Sequence, residues 1–276
     1  MAQFLTRPPH HDETAPALSL EHVRLEYNGV SVLQDVSLTI QGGGLVAVVG
    51  PNGAGKTTLF KIVAGMLKPD RGLVRVFGHK PGGHVCIAYV PQRSQVDWQF
   101  PVTVTEVVMM GRIRKIGLFR LPSKSDWAFV RHALQRVGMT EMCDHQIGEL
   151  SGGQQQRVFL AQALAQEAEV VLLDEPFTGL DVFSQEAIFT TLEELKQGGV
   201  AILVATHDLA LATERFDRVM LLNRRLIAYG APQDVFVRPN LLEAYGGHVH
   251  ELPEGGGMMV LAEPCCGDEE SEAKRG

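Results

Sequence analysis

Along the first part of the chain, apolar and polar residues alternate. In LSLEHVRLEY, residues 18–27, Leu18, Leu20, Val23, Leu25 and Tyr27 fall on every second position apart from one slip. In VSLTI the alternation of Val36, Leu38 and Ile40 is clean. Period-two alternation marks a half-buried strand, so an N-terminal antiparallel β portion is predicted. Three later runs, LVAVV (45–49), VVLLD (170–174) and AILVA (201–205), are almost wholly apolar. A strand covered on both faces, as in a parallel sheet, has that pattern. Shorter strands are expected at LVRVF and CIAYV.

Helical spacing fills the intervals. A helix is predicted from about Lys56 to Leu67, with Pro69 and Gly72 as its stops. Residues 101–150 have few strand candidates, and Trp127, Val130 and Leu134 recur at helical spacing. They are read as a helical subdomain, about 95–165 with its flanks, inserted into the core. Another helix should run from Ser151 to about Glu167, and Ile188, Leu192 and Leu195 stripe the next. Strands alternating with helices imply an α/β fold with a mainly parallel sheet covered on both faces. One domain is expected over 17–241, after a flexible lead-in at 1–16. A partly disordered tail at 242–276 follows.

Composition narrows the classes. The 276 residues are 45% hydrophobic and 21% charged, an ordinary globular balance. A net charge of −7 gives no nucleic-acid footprint, so no nucleic acid is expected as a partner. No apolar run approaches the roughly 18 residues of a membrane span. MAQFLTRPPHHDET lacks an apolar signal core, so neither insertion nor signal-directed export is expected. Cys86, Cys143, Cys265 and Cys266 are too few for a disulfide framework, and a reducing cytoplasm is the reading. Cys265 and Cys266 sit in a polar tail, read as disordered rather than metal-binding. His10, His11, His248 and His250 are read as solvated.

The candidate chemistry starts at GPNGAGKT, residues 50–57, which satisfies G-x-x-x-x-G-K-[ST] between an apolar strand and a helix. Gly50, Gly53 and Gly55 let the backbone wrap closely, with Pro51 stiffening the loop, so that the N–H groups of Asn52, Ala54 and the residues that follow surround phosphate oxygens. Lys56 brings charge to the β- and γ-phosphates, and the Thr57 hydroxyl can ligate Mg²⁺. Thr58 adds a donor at the favourable positive end of the helix. VVLLDEP supplies the partner acids: Asp174 to hold Mg²⁺ through water, and Glu175 as the base that polarises the attacking water.

GPNGAGKTT, LSGGQQQR, VVLLDEP, GLD and ATHD occur in this order. Together they closely resemble the nucleotide-binding subunits of ATP-binding cassette (ABC) transporters, over residues 18 to about 240. That resemblance implies a phosphate-loop NTPase core, ATP and Mg²⁺ as cofactors, and further roles by position. Tyr27 would stack on adenine. Gln92 would reach Mg²⁺ and the lytic water, and His207 the γ-phosphate. Ser151, Gly152, Gly153 and Gln154, with Asp181, would contact ATP held by a second copy. A homodimer with two composite sites is therefore expected, on the cytoplasmic side of the membrane and bound to a polytopic permease. A soluble cassette ATPase acting on DNA or ribosomes is the alternative.

A narrower resemblance lies in YVPQRSQVDWQFPVTVTEVVMMGR, residues 89–112. It is similar to the ATPase subunits of manganese, zinc and iron uptake systems, which implies an extracytoplasmic metal-binding protein as an indirect partner. Asp97, Trp98, Phe100 and Pro101 would then form a socket for the permease.

Overall fold

The structure is a computed structural model that describes residues 15–81, 87–117, 119–246, 249–251 and 258–260. Cys86, Cys265, Cys266, His10, His11, His248 and the side chain of His250 lie outside what is described, as does nearly all of the expected lead-in.

The chain begins with a hairpin of β1 (Leu18–Tyr27) and β2 (Val30–Ile40). Its turn is Asn28-Gly29, with φ of 49° and 78°. Two successive positive φ values make the type I′ turn, whose twist suits a two-residue hairpin. Next come β3 (Leu45–Val49), α1 (Lys56–Val63), β4 (Arg71–Arg75) and β5 (Ile87–Val90). The helical stretch holds α2 (Val104–Met110), α3 (Ile113–Ile116), α4 (Lys124–Arg136) and α5 (Gly152–Gln166). Then follow β6 (Val170–Asp174), α6 (Val182–Gln197), β7 (Ala201–Thr206) and α7 (Leu209–Arg215). The last part contains β8 (Arg218–Asn223), β9 (Arg225–Gly230), α8 (Pro232–Val235) and α9 (Arg238–Tyr245), with a short hairpin of β10 (Val249–Glu251) and β11 (Met258–Val260).

Two sheets organise these elements. The core sheet has the order β5-β6-β7-β3-β8-β9 and is parallel except for β9. The second sheet, β2-β1-β4, is antiparallel. Successive strand residues face opposite ways, and the core strands use both faces. Leu45, Ala47, Val49, Leu173 and Val204 pack toward the helices, against Val108, Leu160, Ile188 and Leu192. Val46, Val48, Leu172 and Leu203 pack toward Leu18, Leu20 and Val36 of the antiparallel sheet and Phe60 of α1. Burying each such side chain contributes roughly 1.5–3 kcal/mol. The three apolar runs are thus strands pressed from both sides, as their sequence requires.

Several elements differ from the expectation. α1 stops at Val63, before Leu67. Gly65, at φ 73°, lets Met66 N–H turn back to Lys61 O (2.8 Å) and its own N–H to Ile62 O (3.0 Å). That Schellman pattern satisfies the last carbonyls before Pro69 is reached. In α4, Val130 and Leu134 are buried but Trp127 is 41% exposed, because Asp126 and Ala133 take the remaining inward positions. LVRVF, expected only as a short strand, supplies β4 with Leu73, Val74 and Arg75, which pair with β1. The helix Arg238–Tyr245 crosses the expected tail boundary, and β10 pairs with β11 beyond it. The β1 slip is a register shift at His22, whose φ is 51°.

Candidate functional site

Four parallel strands deliver the candidate residues to one edge. β3 runs into Gly50, β5 into Gln92, β6 into Asp174 and Glu175, and β7 into His207. The C-terminal edge of a parallel sheet is where such folds bind ligands.

The glycine loop is held by its surroundings. A Cβ on Gly50 would lie 1.9 Å from Leu222 O of β8, so no other residue fits. A Cβ on Gly55 would lie 2.9 Å from Val32 O and 2.7 Å from Leu33 Cδ2, and its φ is 96°. Ala54 O accepts a hydrogen bond from Arg224 N–H (2.8 Å) in the β8–β9 turn. The loop is therefore clamped between β2 and the β8–β9 hairpin. Lys56 is buried, and its Nζ donates to Gly50 O (2.6 Å) and Pro51 O (3.1 Å). Burial lowers its pKa, opposed by the nearby charges of Glu175 and Asp174.

Facing this loop stand the two acids. Asp174 is buried at 2% exposure. Burial raises its pKa, while a hydrogen bond from Thr57 works the other way. Tyr89 Oη donates to its Oδ2 (3.4 Å) from the neighbouring strand β5, and burial pushes the Tyr89 pKa up. Glu175 accepts from Gln92 Nε2 (3.0 Å) and from Thr178 Oγ1 (3.4 Å). His207 Nδ1 lies 3.8 Å from its other oxygen. The backbone of Glu175 has φ 50°, a left-handed value that a branched-off side chain normally avoids, and its N–H is tied to Ala205 O (3.0 Å). Strain of this kind persists where the surroundings fix it, often at functional positions.

Asp174 and Thr57 together offer a carboxylate and a hydroxyl oxygen, the hard donors that Mg²⁺ takes. With the positive-φ glycines at 53 and 55 opening a backbone cradle beside Lys56, the residues fit a magnesium-bound nucleotide. Among the described residues there is no grouping of three or more His, Cys, Asp or Glu that could hold a metal ion by itself.

The remaining candidates form a second cluster. Ser151 caps α5: its hydroxyl accepts from Gln154 N–H (3.4 Å), and its own N–H donates to Gln154 Oε1 (2.8 Å). Asp181 caps α6, accepting from Ser184 N–H (2.9 Å) and Ser184 Oγ (2.7 Å), which lowers its pKa. Gly153 joins these caps, since a Cβ there would meet Ser184 Oγ at 2.4 Å. Tyr27 joins neither cluster. It stands at the tip of the first hairpin, 48% exposed, so it is not a core tyrosine. The second strand of that hairpin carries Val32 and Leu33 to Gly55.

Between the clusters lies the glutamine loop. Trp98 packs edge-to-face on Phe159 of α5 (5.7 Å) and its Nε1 donates to Arg93 O (2.9 Å). It is thus largely a packing residue, whereas Phe100 is 58% exposed and Pro101 is exposed beside it. Ile113, Phe119 and Leu121, also in the helical subdomain, are exposed at 51%, 95% and 91%. Sequence reasoning missed Tyr89, Thr178 and Arg93. Only Arg93, adjacent to Gln92, carried a signal of position.

Comparison with known proteins follows the same lines. A family model described as "ABC transporter" matches residues 33–178, and one for an AAA domain overlaps residues 145–213. The zinc transport system ATP-binding protein TroB of Treponema pallidum is 48% identical over 237 residues, covering 86% of this chain and 89% of that protein. The manganese transport system ATP-binding protein MntB of Bacillus subtilis is 44% identical over 247 residues, covering 89% and 97%. The chelated iron transport system membrane protein YfeB of Yersinia pestis is 46% identical over 242 residues, covering 86% and 81%. Among solved structures, cbiO1 of Clostridium perfringens, part of the ABC transporter complex cbiONQ, superposes with a TM-score of 0.70 at 30% identity, covering 83% and 94%.

Proposed function

The chain belongs to the family of ABC transporter ATP-binding subunits, and from that premise we propose that it powers uptake of a transition metal ion, manganese or zinc ahead of iron. Members of this family hydrolyse ATP and serve transport complexes with a membrane permease, and this chain does so as well. Among the described residues no helix is long and apolar enough to cross a membrane. In the proposed arrangement the subunit lies against the cytoplasmic side of the permease, with an extracytoplasmic binding protein choosing the cargo.

The convergence of Gln92 and His207 on one carboxylate, Glu175, beside the buried Lys56 carries the mechanism. Tyr27 stacks on adenine. The N–H groups of residues 52–58 and the Lys56 ammonium grip the phosphates. Thr57, Asp174 and Gln92 would hold Mg²⁺, which when bound would neutralise charge on the phosphoryl oxygens. Glu175 takes the proton of the attacking water, and His207 donates a hydrogen bond to the γ-phosphate. Holding this carboxylate with Gln92 and His207 orients the base before the substrate arrives.

The signature helix acts on a second copy. A helix start leaves its first N–H groups without intrahelical acceptors, and Ser151 is exposed there. Ser151, Gly152, Gly153 and Gln154, with Asp181, close over ATP held by a partner copy, so that ATP joins a head-to-tail homodimer and hydrolysis releases it. The exposed Phe100 and Pro101, after the glutamine loop, pass the motion to the permease. The relatives are transport subunits by name, which supports this reading over a soluble ATPase working on DNA or ribosomes.

Metal accumulation in a strain lacking this protein tests the cargo. Lowered manganese or zinc uptake is expected, and unchanged uptake of manganese, zinc and iron alike would refute the metal reading. Tagged protein should bring down a polytopic permease from detergent extracts; recovery of ribosomes or DNA alone would refute the transporter role.

A further inference from the structure

We infer that Arg93 is a positioning residue that ties each subunit's own ATP site to the signature helix it presents to its neighbour. This inference rests on the head-to-tail arrangement proposed above. Gln92 and Arg93 are consecutive, and Gln92 has extended backbone (φ −56°, ψ 141°). Arg93 begins a short 3₁₀ turn, and the two side chains go to different partners. Gln92 reaches Glu175 at the nucleotide site (3.0 Å). Arg93 reaches α5: its Nε donates to Gln155 Oε1 (3.0 Å). Gln155 is buried, and its amide continues to Ile147 O (3.1 Å) in the turn leading to Ser151.

Two further contacts make this a fitted joint. A Cβ on Gly152 would lie 2.8 Å from Arg93 Nη1, so the guanidinium is packed against the signature backbone. The Arg93 guanidinium also lies over the Trp98 ring (5.8 Å), and that ring packs on Phe159 of α5. The joint therefore fixes where Gln155 and Gly152 stand relative to Gln92, and a planar guanidinium with fixed donors holds that geometry better than a flexible ammonium.

The test separates action on a subunit's own ATP from action on its neighbour's. Arg93→Ala should bind ATP with unchanged affinity, yet lose turnover by about 10- to 100-fold, the scale of one charge-assisted hydrogen bond. In the Glu175→Gln background, Arg93→Ala should fail to form the ATP-dependent dimer seen by light scattering. Gln155→Leu should reproduce the loss, and the double variant should be no worse than either single one. Mixed dimers of Arg93→Ala with Lys56→Ala subunits decide the direction. Their one competent phosphate loop sits in the Arg93→Ala chain, opposite an intact signature helix, so activity should return. Mixed dimers that stay inactive, ATP affinity lost with Arg93, or additive losses with Gln155→Leu would each overturn the inference. A Glu175→Gln control that remains monomeric with ATP would overturn the head-to-tail reading itself, and this inference with it.

Discussion

Gly153→Ala places one methyl group where two helices meet. The new Cβ would lie 2.4 Å from Ser184 Oγ and 2.6 Å from Ser184 Cβ, whereas ordinary contact begins at 3.4 Å. The start of α5 must therefore move by about 1 Å, or Ser184 must leave its bond to Asp181 (2.7 Å). Both the signature helix and the cap of α6 are proposed to act on the neighbour's ATP, and neither touches Lys56. A misplacement of about 1 Å in a catalytic constellation can cost about 100-fold. Gly153→Ala should thus keep its affinity for fluorescent ATP analogues while kcat, read by phosphate release, falls by about that factor. Ser184→Gly removes both offending atoms, leaving Ser184 Cα at 3.9 Å as the next contact. The double variant Gly153→Ala/Ser184→Gly should recover most of the rate, at a helix-propensity cost of up to about 1 kcal/mol. Full activity in Gly153→Ala, or no recovery in the double variant, would refute the steric argument.

Three other outcomes are expected. Glu175→Gln should lower kcat by about 10²- to 10⁴-fold, the range for loss of a general base, and trap an ATP-bound dimer; normal phosphate release would remove the assignment. Burial holds the Asp174 carboxyl above its ordinary pKa. An acid so shifted stabilises the fold below its unfolded pKa and loses that contribution as pH rises through its folded pKa. Asp174→Asn should accordingly raise the Tm of nucleotide-free protein at pH 7.5, with the gap closing toward pH 4, although hydrolysis is lost; a lower Tm at pH 7.5 contradicts this. Finally, Arg112 is 5% exposed and donates to Asp126 (3.1 Å), Glu167 (2.6 Å) and Ala165 O (2.9 Å), joining α4 to the end of α5. Arg112→Ala removes the cation beside Asp126, which Ser123 still hydrogen-bonds, and leaves Glu167 with Lys115 alone, so it should cost about 3 kcal/mol in urea unfolding, the lower end for a broken buried pair; a loss under about 1 kcal/mol would show the pairs to be replaceable.

The chain's own pattern determined the layers of this fold. Runs such as 45–49, 170–174 and 201–205 have no polar face to offer water, so they had to lie inside a sheet covered twice, as they do. The glycine loop and the acids after β6 were likewise legible, because phosphate and metal chemistry limits which residues can stand at those spacings. Local backbone chemistry was read less well: α1 was given Pro69 as its stop when Gly65 ends it, and Trp127 was placed inward when Asp126 holds that side.

What distance along the chain conceals, the tertiary structure decided. Gly50 is required because Leu222 O approaches it from β8, and Gly153 because Ser184 approaches it from α6. Tyr89 meets Asp174 only because β5 lies beside β6, and Arg93 meets Gln155 only because the glutamine loop is laid on α5. Periodicity reports which way a side chain faces, and motif spacing reports what one turn of backbone can hold. Neither carries the partner across a sheet or between helices, since that contact is set by how whole elements pack.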